Sequence, residues 1–204
     1  MQLNKKDKKR IVEFYQRRLK KYGSLGALSL DWDSKANQIE RFDIFSKISN
    51  LANKKILDVG CGLGDLFGFL AGSNKKMQYL GIDIAPKMIA AAKRKYPKAQ
   101  FECKELSEVQ EPFDYVFASG ALTFTVQQSK TYYFKAIKKM YALAKYGVAF
   151  NMLDRNVYEA NKFYVTYDPI KVLKFCQTFA KEVKIIEGYL EGDFTVFLYK
   201  KKIK

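Results

Sequence analysis

Ile11, Tyr15, Leu19 and Tyr22 recur at helical spacing in a segment otherwise covered by lysines and arginines. That period predicts a helix over residues 4–22, with Asn4 as its cap and Gly23 as its stop. A looser stretch containing Gly23, Ser24 and Gly26 leads to a second helical pattern over about 34–50. Its buried face is expected to comprise Ile39, Phe42, Ile44, Phe45 and Ile48. From Lys54 the pattern alternates. Short apolar runs at 55–60, 78–84, 100–106, 113–119 and 147–153 predict strands. Residues 66–71, 86–96, 130–145 and 169–180 predict helices, with Pro86 opening one, Pro97 ending it and Gly147 closing another. Two final strands, 183–190 and 194–199, flank Glu191-Gly192-Asp193, a hairpin signal.

Regular β-α alternation implies a parallel sheet with helices on both faces. The expected fold is α/β: a Rossmann-like, doubly wound, seven-stranded sheet, mostly parallel, with an antiparallel strand from the C-terminal hairpin. With no internal repeat or long linker, residues 1–204 read as one domain, with a helical extension or lid over 1–53 and an α/β core over 54–204. At 48% hydrophobic and 15% aromatic, the chain is too apolar to be disordered. No apolar run reaches the ~18 residues of a membrane span, and no signal core follows the basic start, so a cytoplasmic protein without membrane association is expected. Three widely spaced cysteines and no histidine suggest neither a disulfide framework nor a zinc site. The missing histidine also removes Ser-His-Asp and Cys-His triads.

The chemistry concentrates in Ile56-Leu57-Asp58-Val59-Gly60-Cys61-Gly62-Leu63-Gly64-Asp65, an acidic strand running into a glycine-rich turn. Gly60 and Gly62 allow close backbone approach at the carboxyl end of the first strand, where doubly wound sheets bind cofactors. The dinucleotide pattern G-x-G-x-x-G fails, since its third glycine would be Asp65 or Phe67, and no Walker lysine follows. The second strand ends at Asp83, 23 residues beyond Gly60, placed to accept hydrogen bonds from ribose hydroxyls.

These residues resemble the class I S-adenosylmethionine-dependent methyltransferases. Residues 56–62 are similar to the first motif of that family, 79–88 to its second-strand motif and 113–118 to its fourth-strand motif. The resemblance implies S-adenosylmethionine as cofactor and S-adenosylhomocysteine as product. It places Gly60 and Gly62 along the methionine and ribose portions, with Asp58 on the amino group and Asp83 on the ribose. Cys61, Ile84 and Leu106 would border the same site, and Ser119 would lie under the sulfonium. Glu105 stands where the family commonly carries an Asp for the adenine amino group, a departure in length. Trp32, Ser34, Gln38, Arg41 and Phe42 resemble an N-terminal segment of a subgroup of small bacterial members. There the segment folds over the cofactor, which would set Arg41 on the methionine carboxylate with Gln38 in support. Equally, Trp32 and Phe42 read as packing residues and Arg41 as a surface cation.

Methyl transfer from a sulfonium works by alignment and does not need histidine. Ser119, Asn151, Tyr164 and Tyr167 are the candidate catalytic or acceptor-pocket residues, with Asp154 and Tyr158 nearby in sequence; each also reads as core or loop. The Asp/Asn-Pro-Pro-Tyr/Phe signature of amino-methylating enzymes is replaced by Ala118-Ser119-Gly120-Ala121, and no acid cluster has metal-ligand spacing. The formal charge of +16 lies mainly at the ends: residues 1–22 hold nine basic and two acidic side chains, and Lys200, Lys201, Lys202 and Lys204 add four more. The excess is mostly lysine, as on a solvated face. The expectation is therefore an enzyme acting on a small molecule, monomeric or homodimeric. The alternatives are an RNA methyltransferase and a non-catalytic cofactor-binding module.

Overall fold

The computed structural model describes residues 2–23, 27–30, 34–73 and 76–202. Trp32 lies outside them. Helix α1 (Lys5–Tyr22) starts where Asn4 accepts from the Asp7 amide and stops where Gly23 turns at φ 72°. A 3-10 turn (Ala27–Leu30) precedes α2 (Lys35–Ser46), which Ser34 caps. The core then runs β1 (Lys55–Val59), α3 (Asp65–Ala71), β2 (Gln78–Asp83), α4 (Pro86–Lys95), β3 (Gln100–Cys103), β4 (Phe113–Ala118), α5 (Ser129–Leu143), β5 (Ala144–Leu153), α6 (Pro169–Gln177), β6 (Glu182–Ile186) and β7 (Asp193–Tyr199).

The seven strands order as β3-β2-β1-β4-β5-β7-β6. The first five are parallel, and β7 inserts antiparallel between β5 and β6. Period-two alternation sorts the side chains onto two cores. Leu57, Val116, Val148 and Val196 pack with Ile137 and Met140 of α5. Ile56, Phe117, Ala149 and Phe197 pack with Phe42 and Phe45 of α2 and Leu66 and Leu70 of α3.

Three local expectations change. Gly147 does not close α5: the helix hands over directly to β5 at Ala144, and Gly147 sits inside that strand opposite Tyr115 and Tyr199. A Cβ there would lie 3.0 Å from the Leu198 carbonyl oxygen and 3.3 Å from Ile48, so close packing rather than a turn selects the glycine. Ile39 is 42% exposed, because the inward stripe of α2 is Gln38, Arg41, Phe42 and Phe45 at i, i+3, i+4 and i+7. Tyr22 is likewise exposed, at the end of α1 under the Arg18 guanidinium.

Candidate functional site

The turn after β1 is built by backbone that side chains would obstruct. Gly60 and Gly62 adopt φ of 72° and 53°, and a Cβ on Gly62 would stand 2.6 Å from Leu30. The Gly60 and Cys61 amides both donate to the Ile82 carbonyl, at 2.8 and 3.0 Å. Asp83 fastens the same turn from β2: its carboxylate accepts from the Gly62 amide at 3.0 Å and the Ala85 amide at 2.8 Å. Burial pushes the Asp83 carboxyl above its ordinary range, with those backbone donors opposing. Asp58, one residue short of the end of β1, is buried and accepts from the Tyr79 hydroxyl. Burial lifts its carboxyl to about 7; the Tyr79 hydrogen bond pulls it down, and the charges of Asp83 and Asp65 add to the rise. The Cys61 thiol is held well above its ordinary value by burial and then by Asp58, which keeps it neutral.

Asp58, Gly60, Cys61, Gly62, Asp83, Ile84, Glu105, Leu106 and Ser119 all line one cavity of about 150 Å³. Gln38 reaches it from α2, its amide 3.4 Å from the Asp65 carboxylate. The N-terminal segment covers it too, through Leu3 just before α1 and Ile11 and Tyr15 on that helix. Glu105 ties that helix down, since its carboxylate accepts from the Leu3 amide at 3.3 Å and from the Lys8 ammonium at 2.7 Å. Asp7 does the same further along, accepting from the Gln127 amide at 2.7 Å.

A second cavity, of about 210 Å³, adjoins the first and shares Tyr15, Leu30 and Gly120 with it. Its polar lining includes Arg41, Thr123, Asn151, Glu159, Tyr164 and Asp193. The Arg41 guanidinium is buried against the Asp193 carboxylate at the start of β7, and its Nη1 donates to the Asn37 carbonyl at 3.0 Å. Asn151 steadies the passage between the cavities by accepting from the Gly120 amide at 2.8 Å. Among the described residues, two buried hydroxyls on the cavity linings have no protein partner: Ser119 Oγ on the first cavity and Tyr164 Oη on the second. Buried hydroxyls left unsatisfied by the protein are suited to a ligand.

A family model described as a methyltransferase domain matches residues 56–147, the stretch from β1 through the start of β5. Over that stretch the chain is similar to a methyltransferase domain. A Mycobacterium tuberculosis protein carrying a methyltransferase name is 28% identical over 167 residues, covering 76% of this chain and 98% of its own. Trans-aconitate 2-methyltransferase of Methylobacterium nodulans is 29% identical over 103 residues, covering 45% of this chain and 39% of the relative. Among solved structures, the magnesium protoporphyrin IX methyltransferase of Synechocystis, bound to S-adenosylhomocysteine, aligns with a TM-score of 0.69 at 15% identity. That match covers 96% of this chain and all of the other, and shows the shared fold. The same Synechocystis enzyme is also solved with S-adenosylmethionine bound, at a TM-score of 0.68 and 16% identity.

The residues expected from the sequence fall into three groups in the structure. Those of the glycine turn, β2 and the third-strand region gather on the first cavity. Arg41 lies on the second cavity and is engaged by Asp193, so it stands with Asn151 and Tyr164 and not with Gln38. Tyr167 lines neither cavity: it is buried, and its hydroxyl is 3.1 Å from the Leu122 carbonyl, a packing role. Asp154 is also absent from both linings and accepts from the Asn156 amide at 2.8 Å. Sequence reading missed Tyr15, Leu30 and Asp193 as site residues. For Tyr15 the signal was present, as an aromatic on the apolar stripe of α1, but its spacing shows burial and not what it covers. No helix among the described residues is long and apolar enough to cross a membrane.

Proposed function

We propose that this enzyme methylates a small molecule held in the second cavity, with the cofactor in the first. The observation that carries the reading is the adjacency of two cavities that share Tyr15, Leu30 and Gly120. The cofactor supplies an electrophilic methyl group on a sulfonium. The fit of the first cavity rests on its donors and acceptors: the glycine turn leaves room for close backbone approach, and two buried carboxylates suit an ammonium and a ribose diol. In this assignment Asp58 takes the amino group, Asp83 takes the ribose, and Ser119 faces the reacting centre. Asn151 holds Gly120 in place between the two sites, and Tyr164 hydrogen-bonds the acceptor. Helix α1, fastened by Glu105 and Asp7, acts as the lid that excludes water. The protein contributes alignment, the main requirement of an in-line displacement.

A second reading, an RNA acceptor, is favoured by one arrangement. Helix α1 and α4, the latter with four basic and no acidic side chains, pack together through Val12 and Leu19 against Met88 and Ala91, beside the first cavity. Incubation of the enzyme with methyl-labelled cofactor and a cell extract fractionated into metabolites, RNA and protein separates the two. Label in the metabolite fraction is expected; label confined to RNA would overturn the small-molecule reading. Asp83→Ala should abolish cofactor binding in calorimetry, and wild-type affinity in that variant would mean the ribose contact is misassigned.

A further inference from the structure

We infer that the acceptor is a small amine and not a carboxylic acid; this rests on the assignment of the second cavity as the acceptor site. Among the described residues, the charged side chains lining that cavity are Arg41, Asp193 and Glu159. Arg41 is the one cation of that lining among the described residues, and it is committed: its guanidinium lies against Asp193, with side chains only 9% and 2% exposed. The ion pair is neutral as a unit, so Glu159 leaves the described lining with a net charge of −1. A carboxylate entering here gives up hydration and meets that negative field, whereas an ammonium gains from it.

The apolar part of the lining points the same way. Tyr15, Tyr158 and Tyr164 contribute three phenol rings, surfaces that attract an organic cation. Tyr164 Oη, buried and without a protein partner, has lone pairs for an amine N–H. Glu159 is exposed, so the rim where it stands reaches solvent.

The chemistry balances with these groups alone. The amine arrives as its ammonium, held by Glu159 and the tyrosine rings, and gives one proton to water at the rim. The nitrogen lone pair then forms the N–C bond as the C–S bond breaks, with that bond's electron pair remaining on sulfur. Positive charge passes from sulfur to nitrogen, and the product leaves as a methylated ammonium. No buried base is required, in keeping with a chain that contains no histidine.

The test is calorimetry on the S-adenosylhomocysteine-loaded enzyme with two matched pairs, benzylamine with benzoate and 2-phenylethylamine with 3-phenylpropionate. In each pair the amine should bind roughly tenfold tighter or more. In Glu159→Gln, an exposed substitution that should leave folding intact, the gap should narrow severalfold. Methylated amine should also form when S-adenosylmethionine replaces the product. Equal or tighter binding of the carboxylates, or no binding of either amine at millimolar concentration, would overturn the amine assignment while leaving the two-cavity reading standing. Failure of S-adenosylhomocysteine itself to bind would overturn both.

Discussion

With Asp58 assigned to the cofactor's amino group, as proposed, cofactor affinity should depend on pH in a direction that the environment of Asp58 sets. The side chain is buried at the end of β1, and its carboxyl is raised from 3.8 to about 7, chiefly by burial. An ammonium pairs with the carboxylate but not with the neutral acid. At pH 7 about half of the Asp58 population is ionised; at pH 5.5 about 3% is, so affinity should fall about 15-fold, or about 1.6 kcal/mol. Asp83 is also raised by burial, so its contribution has the same sign. The stability of the cofactor-free protein runs the opposite way. Because the folded pKa lies above the unfolded one, the folded state binds more protons between pH 3.8 and about 7, and stability falls as pH rises through that window, by about 4 kcal/mol for Asp58. Asp58→Asn keeps an acceptor for the Tyr79 hydroxyl and removes the buried charge. It should raise the melting temperature at pH 8 while abolishing measurable cofactor binding. Calorimetric titration with S-adenosylhomocysteine at pH 7 and 5.5, with thermal melts of both proteins, checks each part. Affinity that is flat between the two pH values, or a destabilised Asp58→Asn at pH 8, would refute the assignment.

Removing one partner of the buried Arg41–Asp193 pair, as in Arg41→Met, should cost about 3–5 kcal/mol in denaturant unfolding, because the Asp193 carboxylate is left buried and uncompensated. The double variant Arg41→Met/Asp193→Leu should recover most of that stability while methyl transfer stays impaired. Tyr164→Phe deletes a buried hydroxyl without a protein partner, so its melting temperature should stay within a degree or two of wild type; steady-state assays should show kcat/KM reduced about tenfold, the scale of one lost hydrogen bond. Gly62→Ala places a Cβ in left-handed backbone against Leu30 and should weaken S-adenosylhomocysteine binding at least tenfold by calorimetry.

Local signals made much of the fold and the first cavity legible. Strand and helix periods, the capping residues Asn4 and Ser34 and the Pro86 helix start are properties of a few neighbouring residues, and they recur in the structure with small boundary shifts. The glycine turn and Asp83 are equally local: adjacent parallel strands place Val59 beside Ile82, so a motif at the end of each arrives at one place. Element ends were less legible where packing decides them, as at Gly147, whose missing Cβ answers to Leu198 and Ile48 and not to a turn.

The second cavity depends on contacts that no period encodes. Arg41 and Asp193 are 152 positions apart in the chain and meet because β7 inserts beside β5, at the end facing α2. Tyr164 lines a cavity and Tyr167 is sealed in the core, although both are tyrosines of one loop three positions apart; only the packing against Phe124 and Leu122 separates their roles. The hydrophobic and polar pattern, with the glycine turn, was enough to specify the sheet and the place of the first cavity, because those follow from local geometry and strand adjacency. Which helix covers that place, which acid neutralises Arg41 and which hydroxyl remains without a partner were decided by the tertiary structure, because each depends on long-range contacts.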